Sequence, residues 1–456
     1  MECVTRRKFC VDIPIHKMVY SFNSFWPPSL HVNAHDMHFV TGQVLAVLLI
    51  MSGCGSGGNE GPSAKINEWQ IRLRSFNALS VADLNGDSAN DIVLTEYIYS
   101  EKIATSSKGA SVEFDLETAT IYDAVVYMQD SLNPGNFIGH KRYILASESF
   151  SIETGDLNQN GLPDLGITQF DDDTVRVLFN DEGNPGQFLF HSDYPVAMNP
   201  RCIAIGDLNS DNLNDIAVGG DNLVFLENSS PNSGDNFSIH YIDIANTTFI
   251  TSVTIADMDG DSRNDLVVTS GGMATVIMQE PEPVAPGTFV ASTSYNTGRK
   301  AMDNVVHDFN NDTLPDIAVA IDIDEGGNVS VHSQDPLNAG VFFPATYYPI
   351  TQNSKSIAYG DLSDDSIPDL VVANDGPDNG SVSILIQDDQ TTGTFLTAVN
   401  YPGVSGPKDV ATSDMNGDGF IDVVVADNST LPIGSPYIRF QDANDPGEFL
   451  DPSPLP

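Results

Sequence analysis

The stretch "DMDGDSRND", residues 257–265, places Asp257, Asp259, Asp261 and Asp265 within nine positions. Two carboxylates about 4 Å apart repel by roughly 4 kcal/mol at an effective dielectric near 20. A folded chain tolerates such a loop when it holds a cation, and Ca²⁺ suits it. The ion is hard, takes six to eight oxygens and fits a tight turn that offers side-chain oxygens at alternating positions. The alternative is a solvated acidic turn.

The spacing recurs. "DLNGDSAND" supplies Asp83, Asn85, Asp87 and Asp91, and "DLNQNGLPD" supplies Asp156, Asn158, Asn160 and Asp164. "DLNSDNLND" gives Asp207, Asn209, Asp211 and Asp215, and "DFNNDTLPD" gives Asp308, Asn310, Asp312 and Asp316. "DLSDDSIPD" gives Asp361, Ser363, Asp365 and Asp369, and "DMNGDGFID" gives Asp414, Asn416, Asp418 and Asp422. Each of the seven loops carries an oxygen donor at positions 1, 3, 5 and 9. Repetition in register favours the cation reading, and the expectation is about seven Ca²⁺ ions, each on those side chains and a backbone carbonyl near position 7.

Successive first aspartates lie 73, 51, 50, 51, 53 and 53 residues apart. A Gly-x-Phe landmark keeps step, ending at Phe137, Phe188, Phe289, Phe342, Phe395 and Phe449, with Phe237 after "GDN" in the third copy. A tyrosine follows six residues later at Tyr143, Tyr194, Tyr295, Tyr348 and Tyr401, whereas the third copy has Tyr241 four residues after its Phe. Between these marks lie short β-branched runs bounded by Gly, Pro, Asn and Asp, four to a unit, and no sustained helical period. Seven four-stranded units of about 50 residues predict an all-β chain, a seven-bladed β-propeller over residues 68–456. The seventh unit leaves almost no room for a fourth strand. "EWQIRLRSF", residues 68–76, lacks a blade of its own. The expectation is that this N-terminal segment supplies the missing strand and closes the ring.

The units "IAIGDLNSDNLNDIAVGG", "IAYGDLSDDSIPDLVVAN" and "VATSDMNGDGFIDVVVAD" resemble FG-GAP or VCBS repeats, the calcium-loop propeller repeats of integrin α-subunit heads and many bacterial surface proteins. The resemblance implies a propeller and calcium, and says little about function. The family loop prefers Gly at position 6. Here Gly161 and Gly419 match, while Ser88, Asn212, Ser262, Thr313 and Ser366 depart.

Formal net charge is −44, from 63 acidic and 19 basic residues. Such a surface repels nucleic acid and anionic lipid. "FVTGQVLAVLLIM", residues 39–51, is apolar but short for a membrane span. With "MSGC" it resembles a bacterial lipoprotein signal, which implies residues 1–53 as a targeting region, Cys54 as the lipidated residue and 54–67 as a flexible linker. An ordinary cleaved signal is the alternative, and either exports the chain. "TRRKF", residues 5–9, resembles a twin-arginine signal set far from its apolar run, and Met37 is an alternative start.

Few residues outside the loops suggest chemistry. His140, His191 and His240 are expected on outer strands of successive blades, too far apart for a shared site. His307 is expected to support the loop beside it. No nucleophile motif stands out. The first interval carries extra residues, 95–120, with Tyr97, Tyr99, Lys102 and Lys108. This excursion is either a partner surface or a plain hairpin. The function expected is a monomeric calcium-binding surface module for an extracellular protein or polysaccharide, without catalysis. An extracellular polysaccharide lyase or hydrolase on the same scaffold is the alternative, and a convergent cluster of Lys, Arg, His or Tyr at the ring mouth would favour it.

Overall fold

In the computed structural model the described residues are 5–11, 67–108 and 111–455, less short segments at 197–198, 231–236, 245–248, 281–286, 324–325, 351–352, 377–379, 405 and 429–435. Cys54 and most of the targeting region and linker lie outside them. The chain divides into two compact units, residues 1–3, 72–100 and 119–456, and residues 4–71 and 101–118. In the second, Thr5–Val11 pairs antiparallel with residues 112–118.

The first unit is the propeller. Blade 4 shows the plan: Ile250–Ala256, Asp265–Ser270, Met273–Gln279 and Phe289–Asn296 form one antiparallel meander. Six further sheets repeat it, and the described residues contain no helix. The first strands of adjacent blades touch, so they form the inner wall. The second strands are buried on both faces, which is why "DLVVTS", "DLVVAN" and "DVVVAD" read as unbroken apolar runs. The extra residues of the first interval lie in the long strands Asp91–Lys108 and Ser111–Gln129, of which residues 101–118 belong to the second unit.

Each interface between blades has its own hydrophobic core. Leu266, Val268 and Ile277 of blade 4 pack on Leu208, Ala217 and Phe225 of blade 3. Val371, Ala373 and Ile384 of blade 6 pack on Val423, Val425 and Tyr437 of blade 7. The Gly-x-Phe and Tyr landmarks are staples across these interfaces. Each Tyr meets the Phe of the next blade edge-on, at 5.7 Å for Tyr143–Phe188, 5.3 Å for Tyr295–Phe342 and Tyr348–Phe395, and 5.7 Å for Tyr401–Phe449. The Tyr143 and Tyr295 hydroxyls also accept the backbone N–H of that Phe, at 3.0 and 3.2 Å. Tyr241, out of step in the sequence, is 68% exposed, and Phe289 packs instead on Phe225.

Ring closure differs from the expectation. Asn67–Ala82 pairs with the second strand of its own blade rather than with blade 7. Blade 7 takes its fourth strand from Ser453–Pro454, which pairs with Ile438 and Tyr437. "DPSPLP" suffices because an outermost strand needs partners on one side only, where prolines without an N–H are tolerated. Leu455 then buries its side chain and donates its N–H to the Pro436 carbonyl at 2.8 Å. Closure comes from packing. Phe76, Leu79, Ile92 and Tyr127 of blade 1 meet Met415, Val424, Ile438 and Leu455 of blade 7.

Carboxylates tie the inner strands together. Asp303 accepts from Ser252 Oγ at 2.7 Å and from Ile357 N–H at 3.0 Å. Asp409 accepts from Ser356 Oγ at 2.6 Å and from Leu79 N–H at 2.8 Å. Five consecutive blades are linked in this way. Glu153 of blade 2 feels the charge of Asp409 in blade 7, and Asp409 feels that of Asp303 in blade 5. Burial, then the neighbouring carboxylate, pushes Glu153 up to about 7, and burial pushes Asp409 up to about 6.

Two outcomes follow from this packing. Phe395→Ala should cost about 3–5 kcal/mol, read as a lowered denaturation midpoint, whereas Tyr241→Ala should stay within about 0.5 kcal/mol. The raised carboxyls bind more protons folded than unfolded, where their pKa is about 4. Their stabilisation is therefore whole below about pH 4 and lost as pH rises through about 6 to 7. Melting temperature across that range should fall, and Glu153→Gln should remove part of the slope; an unchanged slope would show that Glu153 is not titrating.

Candidate metal centres in the repeat loops

Each loop joins the inner strand of a blade to its second strand, and its last aspartate begins the second strand inside the protein. Asp91, Asp164, Asp215, Asp265, Asp316, Asp369 and Asp422 are 0–1% exposed. Both oxygens are used in the same way every time. One accepts the N–H of loop position 2, as from Met258 to Asp265 at 2.9 Å and from Leu362 to Asp369 at 2.9 Å. The other accepts the N–H at the end of the third strand, as from Gln279 to Asp265 at 2.7 Å and from Gln387 to Asp369 at 2.7 Å. The position 9 carboxylate thus clamps three segments of its blade.

The residue donating that second N–H carries a further role that sequence reasoning missed. Gln129, Asn180, Asn228 and Gln334 extend their side-chain amides into the preceding blade and donate to Met415, Leu84, Leu157 and Met258 carbonyls at 2.7–3.0 Å. Gln279 and Gln441 reach Leu208 and Leu362 likewise. A signal existed: Gln129, Asn180, Gln334, Gln387 and Gln441 all stand eight residues before the landmark Phe.

The first aspartate shapes the turn. Asp257 accepts N–H bonds from Gly260 and Ser262, both at 2.8 Å, and from Asp261 at 3.1 Å. Asp83, Asp207 and Asp414 likewise accept the position 6 N–H. Asn85, Asn158, Asn209, Asn310 and Asn416 at position 3 each accept the N–H of position 5. Position 6 is left-handed in every copy, from Asn212 at φ 64° to Gly419 at φ 93°. That conformation explains the preference for Gly there, and Ser88, Asn212, Ser262, Thr313 and Ser366 adopt it at a steric cost of about 1 kcal/mol each.

In the fourth loop the donors at positions 1, 3 and 9 converge, while Asp261 at position 5 stands outside the cluster. Carboxylate oxygens of Asp257, Asp259 and Asp265 lie within 4.8 Å of one another. In loops two and five the position 3 amide reaches the position 9 carboxylate, Asn158 to Asp164 at 3.3 Å and Asn310 to Asp316 at 3.4 Å. Ser363 is half-buried within loop six. Loop four also contains a cation of its own, because the Arg263 guanidinium pairs with Asp261. Burial first, and then the loop aspartates, push the position 9 carboxyls up, to about 7 in Asp91, Asp164, Asp215, Asp316, Asp369 and Asp422 and about 6 in Asp265. An all-oxygen set under mutual repulsion fits a hard divalent ion, and each oxygen that accepts one N–H keeps a second lone pair. An ion on these side chains would supply the positive charge the loop lacks.

Among the described residues the histidines do not assemble, and the side chain of His191 lies outside that description. His140 rests on Tyr127 of its own blade at 5.3 Å. His240 stacks on Phe225 at 5.4 Å and pairs with Glu227 at 2.8 Å, beside a cavity of about 610 Å³ at loop three. His307 stacks on Tyr359 of the next blade at 4.5 Å.

Asp265→Asn and Asp259→Asn should separate clamp from ligand. The first should lower the melting temperature with and without calcium, since a clamped N–H loses its acceptor at about 1–3 kcal/mol. The second should lower only the calcium-dependent part.

Residues 308–372 and 361–425 match the FG-GAP-like repeat family. No curated protein matches the chain in sequence. Among solved structures, the chain is similar to the PQQ-bound form of an aldose sugar dehydrogenase from Streptomyces coelicolor, with 13% identity and a TM-score of 0.38 over 64% of this chain and 97% of that one.

Proposed function

We propose that this β-propeller of FG-GAP-like repeats is a calcium-stabilised, exported binding module. The observation that carries the reading is the sevenfold placement of a buried carboxylate beside further loop oxygen donors. A group that burial and repulsion both disfavour as an anion gains most from a divalent ion. The donors would be positions 1, 3, 5 and 9 of each loop. The ion would add charge compensation and rigidity at the point where two strands and the neighbouring blade meet. A strongly acidic surface and the lipoprotein-like "MSGC" before a flexible linker support export, with Cys54 as the anchor and an extracellular protein or polysaccharide as the partner. Partner binding is the use of the scaffold that needs nothing beyond a rigid ring and variable connections.

Calorimetric titration of chelator-stripped protein should count about seven ions with Kd of roughly 10⁻⁴–10⁻³ M. At calcium tenfold above Kd each site should add about 1.4 kcal/mol, so chelation should lower the melting temperature steeply. Arg263→Gln should tighten the fourth loop by releasing Asp261. A melt indifferent to chelator would mean that the loops are solvated acidic turns. Mass spectrometry of the native N-terminus tests the anchor, and an unmodified Cys54 overturns it.

A further inference from the structure

The ring end opposite the loops carries a departure from the repeat. Lys355 and Lys408 stand six residues before the first Asp of their loops, at the start of an inner strand. Each reaches back to the preceding blade and pairs with the residue six after that blade's position 9, Lys355 with Asp322 at 3.1 Å and Lys408 with Asp375 at 2.6 Å. Arg201 is the equivalent cation of blade 3, and its equivalent partner in blade 2 is Phe170. The cation has stayed and its carboxylate has not.

Aromatic rings surround the guanidinium instead. Its carbon lies 4.7 Å from the centre of Phe170, 5.2 Å from Phe150 and 4.2 Å from Phe249. Phe249 holds its place with φ at 73°, a region that a bulky side chain rarely enters. Nε is buried and has no hydrogen-bond partner. Arg201 feels the charge of Asp221 and Glu148 but forms an ion pair with neither; Asn199 donates to Asp221 at 2.9 Å and Asn77 to Glu148 at 3.0 Å. Rings stacked on a guanidinium leave its in-plane N–H edge for a ligand, and that edge matches a carboxylate in bidentate fashion.

We propose that Arg201, boxed by Phe150, Phe170 and Phe249, is a binding site for a carboxylate group of an extracellular ligand, which takes the place that Asp322 and Asp375 fill at the equivalent interfaces. The inference rests on the reading of the ring as a binding module, and names its ligand chemistry. Carboxylates of this kind come from acidic sugars or from acidic peptides. Phe150, Phe170 and Phe249 add apolar surface beside the charge, and so favour a ligand whose carboxylate sits on a ring or chain rather than a free small anion.

The test is calorimetric titration of the calcium-loaded protein with trigalacturonate, with its fully methyl-esterified form, and with a peptide of three aspartates. Binding of trigalacturonate or of the peptide, at least tenfold tighter than of the ester, supports the site and identifies which source is read. Arg201→Gln should abolish that binding. Phe170→Asp should also abolish it while keeping or raising the melting temperature, because it restores the internal pair seen at Asp322 and Asp375. Failure of both acidic probes at millimolar concentration, equal binding of the ester, or full binding by Arg201→Gln overturns the proposal. A partner captured equally by wild type and Arg201→Gln would keep the binding module and discard this site.

Discussion

A carboxylate that starts a buried strand must be satisfied from within, and the fold is arranged around that requirement. Unpaired, such a group costs several kcal/mol. Here both oxygens of each position 9 Asp accept a backbone N–H, one from its own loop and one from the third strand. The same bonds fix where the loop turns, where the second strand begins and where the third ends. In six of the seven blades the Gln or Asn at that third-strand end then donates its side-chain amide to the neighbouring loop. A local electrostatic requirement thus becomes a link between blades.

That constraint explains what could be read in advance. The aspartate spacing and the Phe and Tyr landmarks are short-range and repeated, so register followed from them. The landmarks marked interfaces because aromatic pairs across blades need one residue type at one place in each unit, and Tyr241 strays from its interface just where it strays from the spacing. Closure was not legible. It depended on whether two residues at the chain end could serve as a strand, and the prolines of "DPSPLP" argue against a strand unless it is an outermost one. The amide at the third-strand end was hidden for another reason: its distance from position 9 varies from 13 residues at Asn228 to 38 at Gln129, and it settles at eight, in five of the seven copies, only when counted back from the Phe.

The candidate loops were legible in composition and less so in energetics. Four carboxylates in "DMDGDSRND" promise the highest ligand charge, yet Arg263 withdraws part of it. Glycine preference at position 6 is likewise a conformational matter. Left-handed φ is present in all seven copies whether the residue is Gly, Ser, Asn or Thr, so departure from Gly costs strain and leaves the turn intact.

The two ends of the ring divide the work. At the loop end the seven copies agree on Asp at positions 1 and 9, as they must if every blade is to be clamped alike. At the other end the equivalent residues are Asn77, Phe150, Arg201, Thr251, Met302, Lys355 and Lys408, which share neither size nor charge. No common structural duty holds them. Where a duty exists it is local, as in the ion pairs of Lys355 and Lys408. A closed ring tolerates this because its stability comes from seven interface cores and seven clamps set away from that rim. Sequence freedom there costs little stability, and a rigid inner wall holds whatever side chains occupy it. Recognition can therefore be asymmetric on a scaffold whose cohesion is cyclic, and the residues to suspect are those that break the cycle.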